Sequence, residues 1–344
     1  DDGRRIAPRP VAAGNAVRVA YVGNFTAHTP RGEPFNTESH LALSLEALGH
    51  TVVRLQEDQQ TTAQVARRVI DERADLFLWT RTWPEKLRAG GLEMIRSLPC
   101  PSVAYHLDLY AGLERSKDID SEPWWRCKYV FTADGGSDAF WAIHGVNHIW
   151  APPGVYGPEC YMAVPQWDWH DIIFVGSGSN GYHPEWPHRK RLIDWLHATY
   201  GPRFTVFGRG GKRECVRGSE LNELYASAKI VVGDSLCLGY THERYWSDRI
   251  PETLGRGGFL VTPWIAGMEE QYANGRHLVA WQFGNWTMLR KLIDHYLEHD
   301  DERERIRHAG HEHVKAHHTY RHRMEWMLDY LAAREPSIAR ALAA

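Results

Sequence analysis

Residues 248–262 run Asp248-Arg249-Ile250-Pro251-Glu252-Thr253-Leu254-Gly255-Arg256-Gly257-Gly258-Phe259-Leu260-Val261-Thr262. Ile250–Gly255 reads as a short helix, the glycines after it as its stop, and Phe259–Thr262 as an apolar strand. A helix passed through glycines into so short an apolar strand is a unit of an alternating α/β chain, whose parallel sheet is covered on both faces.

The same grammar extends in both directions. Upstream, Asp171–Val175 reads as a strand, Trp186–Tyr200 as a helix, Phe204–Phe207 as a strand, Glu220–Ala228 as a helix and Ile230–Val232 as a strand. Downstream, His277–Trp281 is the last strand, and three helical segments finish the chain. The first half repeats the pattern: a strand at Val17–Val22, then Gly23 and a polar loop, then a helix over Thr37–Leu48 with Leu41, Leu45 and Leu48 on one face. Gly49 stops that helix. Thr51–Leu55, Leu76–Trp79, Ser102–His106 and Tyr129–Thr132 are the next strands, and His148–Pro153 leads out of the domain. The Trp-, Pro- and Gly-rich stretch Ala151–His170 separates the halves as a hinge. The expected fold is therefore α/β, with two Rossmann-like parallel-sheet domains facing a cleft. Ligands of open α/β sheets bind at the carboxyl ends of the strands, which makes the cleft the expected site.

A length of 344 residues suits two such domains. A formal net charge of −3 gives the molecule no overall electrostatic footprint for a polyanion. Cys100, Cys127, Cys160, Cys215 and Cys237 are odd in number and widely spaced, with no CxxC pair, so they read as reduced, buried thiols. No apolar run is long enough to span a membrane, and residues 1–15 lack an apolar signal region. The expectation is a soluble, cytoplasmic protein. His308, His311, His313, His317, His318 and His322 stand at helical spacing beside Arg and Glu, and read as a solvated helix face rather than a metal site.

Gly176-Ser177-Gly178-Ser179-Asn180-Gly181 follows a strand and satisfies G-x-G-x-x-G. Such a loop lets backbone N–H groups approach a diphosphate unobstructed. A dinucleotide fold would want the helix to open at once and an acidic residue to end the next strand. Here Pro184 and Pro187 delay the helix, and the strand ends in Gly208-Arg209. An NAD(P)-dependent oxidoreductase stays open as an alternative, with Arg209 suited to a 2′-phosphate. A plain surface turn is the other reading.

Residues 248–262, with Gly267-Met268-Glu269-Glu270 downstream, resemble the helix–glycine–strand signature of GT-B glycosyltransferases, and more narrowly the CgeB-like branch of the retaining family-four-type (group 1) enzymes. Val17–Gly23 with Leu48-Gly49-His50 is similar to that family's first strand, glycine turn and first helix. Ser219–Ala228 before Lys229–Gly233, and a tail holding Arg303, Ile306, Gly310 and His317–Tyr320, extend the likeness over nearly the whole chain. The resemblance implies residues 1–155 as an acceptor-side domain, 156–318 as a nucleotide-sugar domain, and 319–344 as a helix crossing back onto the first domain. It implies that Glu252 accepts hydrogen bonds from the donor ribose, a role that suits a carboxylate's two acceptor oxygens. It assigns Gly23, Gly176, Ser177 and Gly178 to the donor's approach, and His106, ending Val103-Ala104-Tyr105-His106-Leu107-Asp108, to the donor sugar, with Asp108 orienting it or meeting the acceptor.

Two departures stand out. Relatives carry an E-x7-E pair, but eight residues before Glu252 stands Arg244, with Glu243 one position off. They also place an Arg and a Lys where this chain has Ser177 and Gly178, so Arg249, Arg209 and Arg244 are the candidate phosphate clamps. Asp134-Gly135-Gly136-Ser137 either borders the acceptor or caps a helix, and Trp124-Trp125-Arg126 and Tyr245-Trp246 either stack a ligand or pack. The implied reaction moves a sugar from a nucleoside diphosphate sugar, a UDP-sugar being the expected donor, to an acceptor hydroxyl with retention. It needs no metal, since no D-x-D pair stands near a strand end. The acceptor remains open among a small molecule, a glycan, a protein and a hydroxymethylpyrimidine in DNA. A noncatalytic sugar-nucleotide-binding protein is a further alternative.

Overall fold

The computed structural model describes residues 16–80, 85–176, 187–209, 211–213, 216–234 and 242–343. In the first half, β1 (Arg18–Gly23), β2 (Thr51–Gln56), β3 (Leu76–Trp79), β4 (Ser102–His106), β5 (Tyr129–Thr132) and β6 (His148–Trp150) form one sheet in the order β2-β1-β3-β4-β5-β6. Every pairing is parallel. The strands are joined over α1 (Thr37–Ala47), α2 (Thr62–Asp71), α3 (Glu85–Arg88), α4 (Gly91–Ser97) and α5 (Asp138–Ile143). The period of two decides where each side chain goes. Val19 and Tyr21 of β1 enter the core shared with Leu41 and Leu45 of α1, while Ala20 and Val22 enter the opposite core with Val65 and Val69 of α2.

The second half holds β7 (His170–Val175), α6 (Pro187–Tyr200), β8 (Phe204–Phe207), α7 (Ser219–Ala226), β9 (Ala228–Val232), α8 (Arg249–Gly255), β10 (Leu260–Pro263) and β11 (Val279–Trp281). These strands make a second parallel sheet, β11-β10-β9-β7-β8. Ile172 and Phe174 point into one core, Ile173 into the other.

Four helices, not three, finish the described chain: α9 (Trp286–Glu298), α10 (Asp300–His317), α11 (Tyr320–Ala332) and α12 (Pro336–Ala343). The break between α10 and α11 falls at Thr319, whose side chain caps α11 by accepting from the His322 N–H. Tyr320, Met324, Met327, Leu328 and Leu331 of α11 are buried in the first domain's core with Leu41 and Leu45. Each fully buried apolar side chain contributes about 1.5–3 kcal/mol, so this row alone fixes the chain's end to the first half.

The histidine reading needs correction. Arg303, Ile306, Arg307, Gly310, His311 and Val314 of α10 are buried, because α10 packs on α8. His311 Nδ1 lies 2.8 Å from the Gly255 carbonyl, and His318 is only 4% exposed; His308 and His317 stay exposed. His277 stacks on His313 at 3.9 Å, and His313 lies 2.9 Å from His318, Nε2 to Nε2. Among the described residues no group of three or more His, Cys, Asp or Glu could hold a metal. Cys127 and Cys160 are buried free thiols and Cys100 is a half-buried one; Cys215 and Cys237 lie outside the described residues. No described helix is long and apolar enough to cross a membrane.

Candidate functional site

The carboxyl edges of the two sheets face each other. Arg31 and Glu33, in the connection after β1, reach Ser219 and Glu223 of α7, which follows β8. At the other end of the cleft, the Gly135 N–H beyond β5 donates to the Arg244 carbonyl beyond β9 at 3.1 Å. Tyr245 of the second domain is buried among Leu109, Leu113 and Ala133 of the first, and Trp246 meets Trp150 edge-on at 5.8 Å. These aromatics pack rather than offering a free stacking face.

On the second domain's edge, Gly176 directly follows β7 and donates its N–H to the Phe207 carbonyl of β8 at 2.8 Å. Arg249, the first residue of α8, lies so close that a Cβ on Gly176 would sit 3.2 Å from its Nε and 3.3 Å from an Nη. Asp234, just past β9 and 2% exposed, pairs with Arg189 Nε of α6 at 2.5 Å and with Arg249 at 4.0 Å. The parallel pairing of β7 with β9 is what brings these charges together. Ser177–Gly181 lie outside the described residues, so the rest of the glycine loop is not seen.

Glu252 sits one turn beyond Arg249 in α8 and is half-buried. Burial, and then the Asp248 charge, push its carboxyl up from the usual range, while Arg256, Arg217 and Arg249 pull it down. Its neighbourhood is thus rich in guanidinium groups. Arg256 is itself buried, donating to the Gly218 carbonyl at 2.9 Å, to Asn222 Oδ1 at 2.6 Å and to Glu159 of the hinge. From α11, which packs on the first domain, Tyr320 lies near Asp248 and Glu252, whose charges raise its phenol further above a range already lifted by burial. His40 stacks on Tyr156 at 4.5 Å, and burial holds its imidazole down at about 4.

The first domain's edge carries several carboxyl groups and His106. Glu38 and Thr80 close over Gly23 at the end of β1. Burial raises the Glu38 carboxyl to about 7, with the charges of Glu57 and Asp108 adding to it. Asp134, fully buried past β5, accepts from the N–H groups of Tyr110 and Ala111 at 2.8 Å each, and burial lifts it to about 6. It therefore holds the loop after β4 rather than capping α5. His106 ends β4 as expected but is 3% exposed, its ring 4.5 Å from Trp125 and 6.0 Å from Tyr110. Asp108 is exposed and pairs with Arg115 at 2.9 Å.

Of the proposed phosphate clamps, only Arg249 is brought against Gly176. Arg244 donates to Glu270 at 2.6 and 2.9 Å and lies over Trp150. Arg209 is exposed, one residue past Gly208, which lies against the Gly176 carbonyl. Sequence reasoning missed Asp234, Arg189, Arg217 and Glu38. An acidic residue directly after the strand and Gly233 was a usable signal for Asp234; the other three carried none.

Residues 189–329 match the family described as Glycosyl transferase-like. A comparison with curated proteins returns no match. Among solved structures, a glycosyltransferase from Rickettsia africae superposes with a TM-score of 0.62 at 12% identity, over 93% of this chain and 98% of that one. Anabaena HepE in complex with UDP and glucose gives 0.60 at 12% identity, over 92% and 100%. An alpha-glucosyltransferase in complex with UDP and a 13-mer DNA containing an HMU base gives 0.64 at 9% identity, over 91% and 99%. In fold the chain is thus of the GT-B glycosyltransferase type, two Rossmann-like domains facing across a cleft, and its residues 189–329 carry the likeness to the glycosyl transferase-like family.

Proposed function

We propose that the protein transfers a sugar from a nucleoside diphosphate sugar, a UDP-sugar, to an acceptor hydroxyl with retention of anomeric configuration. One observation carries this reading: Arg249 stands against Gly176 at the end of β7, with Glu252 one helical turn further along α8. That spacing offers a guanidinium to a diphosphate and a carboxylate to the vicinal diol of the attached ribose. The UDP held by HepE and by the alpha-glucosyltransferase supports the choice of donor.

Chemically, the bond from the anomeric carbon to the phosphate oxygen breaks as the acceptor oxygen bonds to that carbon on the same face. The departing phosphate oxygen takes the acceptor's proton, so no protein base is needed. Arg249 stabilises the charge growing on the diphosphate, and it does so from a fixed position, which makes the interaction effective in the transition state.

Calorimetric titration with UDP and UDP-glucose tests the donor assignment. Glu252→Gln should weaken UDP binding about tenfold or more, the value of a hydrogen bond to a charged group; unchanged affinity would remove Glu252 from the ribose. The anomeric coupling constant of the product, read by NMR, tests retention.

A further inference from the structure

A groove of about 820 Å³ opens where the connection after β1 meets α7 and residues 161–168. This volume falls within the ~300–1,000 Å³ range of small-molecule sites. The segment joining the two sheets supplies Tyr161, 40% exposed, the half-buried Trp167 and the exposed Asp168; α7 supplies Glu220 and Glu223; Arg213 and Arg31 stand beside them. Arg31 belongs to the first domain and the other lining residues lie beyond it, so the groove is complete only when the domains are together.

Its chemistry is specific. Arg31 donates to both carboxylate oxygens of Glu223 at 2.7 and 3.1 Å, and Arg213 donates to Glu220 at 3.0 Å while lying over the Trp167 ring at 5.2 Å. Each of the two arginines is matched by a carboxylate and Asp168 adds a further negative charge to the lining, so an anion such as a phosphate finds no unbalanced cation here. What remains is a set of planar donors and acceptors beside aromatic rings. That combination matches a ring with hydroxyls around its edge and an apolar C–H face.

We infer that this groove binds a neutral oligosaccharide, the unreacting rings of the acceptor, and that Tyr161 stacks on one of them. The assignment of these rings to an acceptor rests on the transferase reading above; the binding itself does not. The test is saturation-transfer NMR with maltotriose, cellotriose and chitotriose on the full chain, with a parallel UDP titration. We expect at least one trisaccharide to bind, Tyr161→Ala to weaken it about fivefold and Tyr161→Phe to preserve it. UDP affinity should stay at the wild-type value in both variants. No binding by any of the three sugars, or equal binding in Tyr161→Ala, overturns the inference. Absence of UDP binding alongside Tyr161-dependent sugar binding would instead overturn the transferase reading and leave the groove assignment standing.

Discussion

Arg31 and Glu223, 192 residues apart in sequence, form a two-pronged ion pair across the domain boundary. Beside it the Glu33 carboxylate accepts from the Ser219 N–H at 3.2 and 3.3 Å. Gly218 has φ of +59°, and a Cβ there would run into Glu33 Oε2, so this contact requires glycine. The same residue's carbonyl is held by Arg256, at the end of the helix that carries Glu252. The domain contact and the helix carrying Glu252 therefore share one anchor.

The first prediction follows from that sharing. Arg31→Ala should enlarge the radius of gyration measured by small-angle scattering without nucleotide, and UDP should reduce the difference. Because both side chains are partly exposed, the turnover loss should be no more than a few-fold and should shrink as salt rises. Scattering curves identical to wild type would show that the pair does not hold the domains.

A second prediction concerns Arg249. Its removal should weaken UDP binding roughly ten- to hundredfold, corresponding to about 1.5–3 kcal/mol for a hydrogen bond to a charged group, while leaving uridine binding unchanged. Equal losses for UDP and uridine would place Arg249 at the nucleoside.

Transfer should also persist in EDTA. On the proposed reading Arg249 supplies the positive charge at the diphosphate that a divalent ion provides in other phosphate sites. Activity abolished by chelation and restored by Mg²⁺ or Mn²⁺ would reassign the donor clamp.

The fold was legible because parallel strands buried on both faces are continuous apolar runs, as in Val19–Val22 and Ile172–Phe174. His148–Trp150 escaped notice as a strand because it is three half-buried residues at the sheet's edge. Gly176 and Glu252 could be singled out from local pattern, since each sits at a strand or helix terminus. Arg189 and Asp234 could not be paired, because they meet through the neighbouring of β7 and β9, strands with β8 and two helices' worth of chain between them. The histidines of α10 misled for a related reason: helical spacing records which residues share a face, but not that α8 would cover it.

Acid should expose that buried cluster. Burial, followed by the charges of His313, Arg276 and His317, holds His277 down at about 4 in the folded state, against about 6.5 in the unfolded chain. Between pH 6.5 and 4 the unfolded chain then binds more protons, so this residue's contribution to stability falls as pH falls. Glu38 and Asp134, raised to about 7 and 6, act in the opposite direction, so the comparison must be between variants. His277→Phe should flatten the slope of unfolding free energy against pH in that window by up to ~1.4 kcal/mol per pH unit. An unchanged slope would show that His277 does not titrate differently on unfolding.

His106 provides the last prediction. Its ring ends β4 beneath the loop carrying Asp108 and Tyr110, and Trp125 packs on it at 4.5 Å. The loop is also tied to Asp134 through the Tyr110 and Ala111 amides. Truncation at such a site removes packing beneath the loop after β4, and large-to-small changes in cores cost about 2–5 kcal/mol. His106→Ala should therefore lower both thermal stability and turnover, yet spare UDP affinity, since the proposed nucleotide contacts, Arg249 and Glu252, lie on the second domain. His106→Phe keeps a planar ring against Trp125 but lacks the nitrogens. With the imidazole only 3% exposed, we expect the Phe variant to retain most of the turnover. Turnover lost equally in both variants would mean that the ring nitrogens reach the donor sugar, making His106 a catalytic residue instead of a positioning one. A matching loss of UDP affinity would move it to the nucleotide.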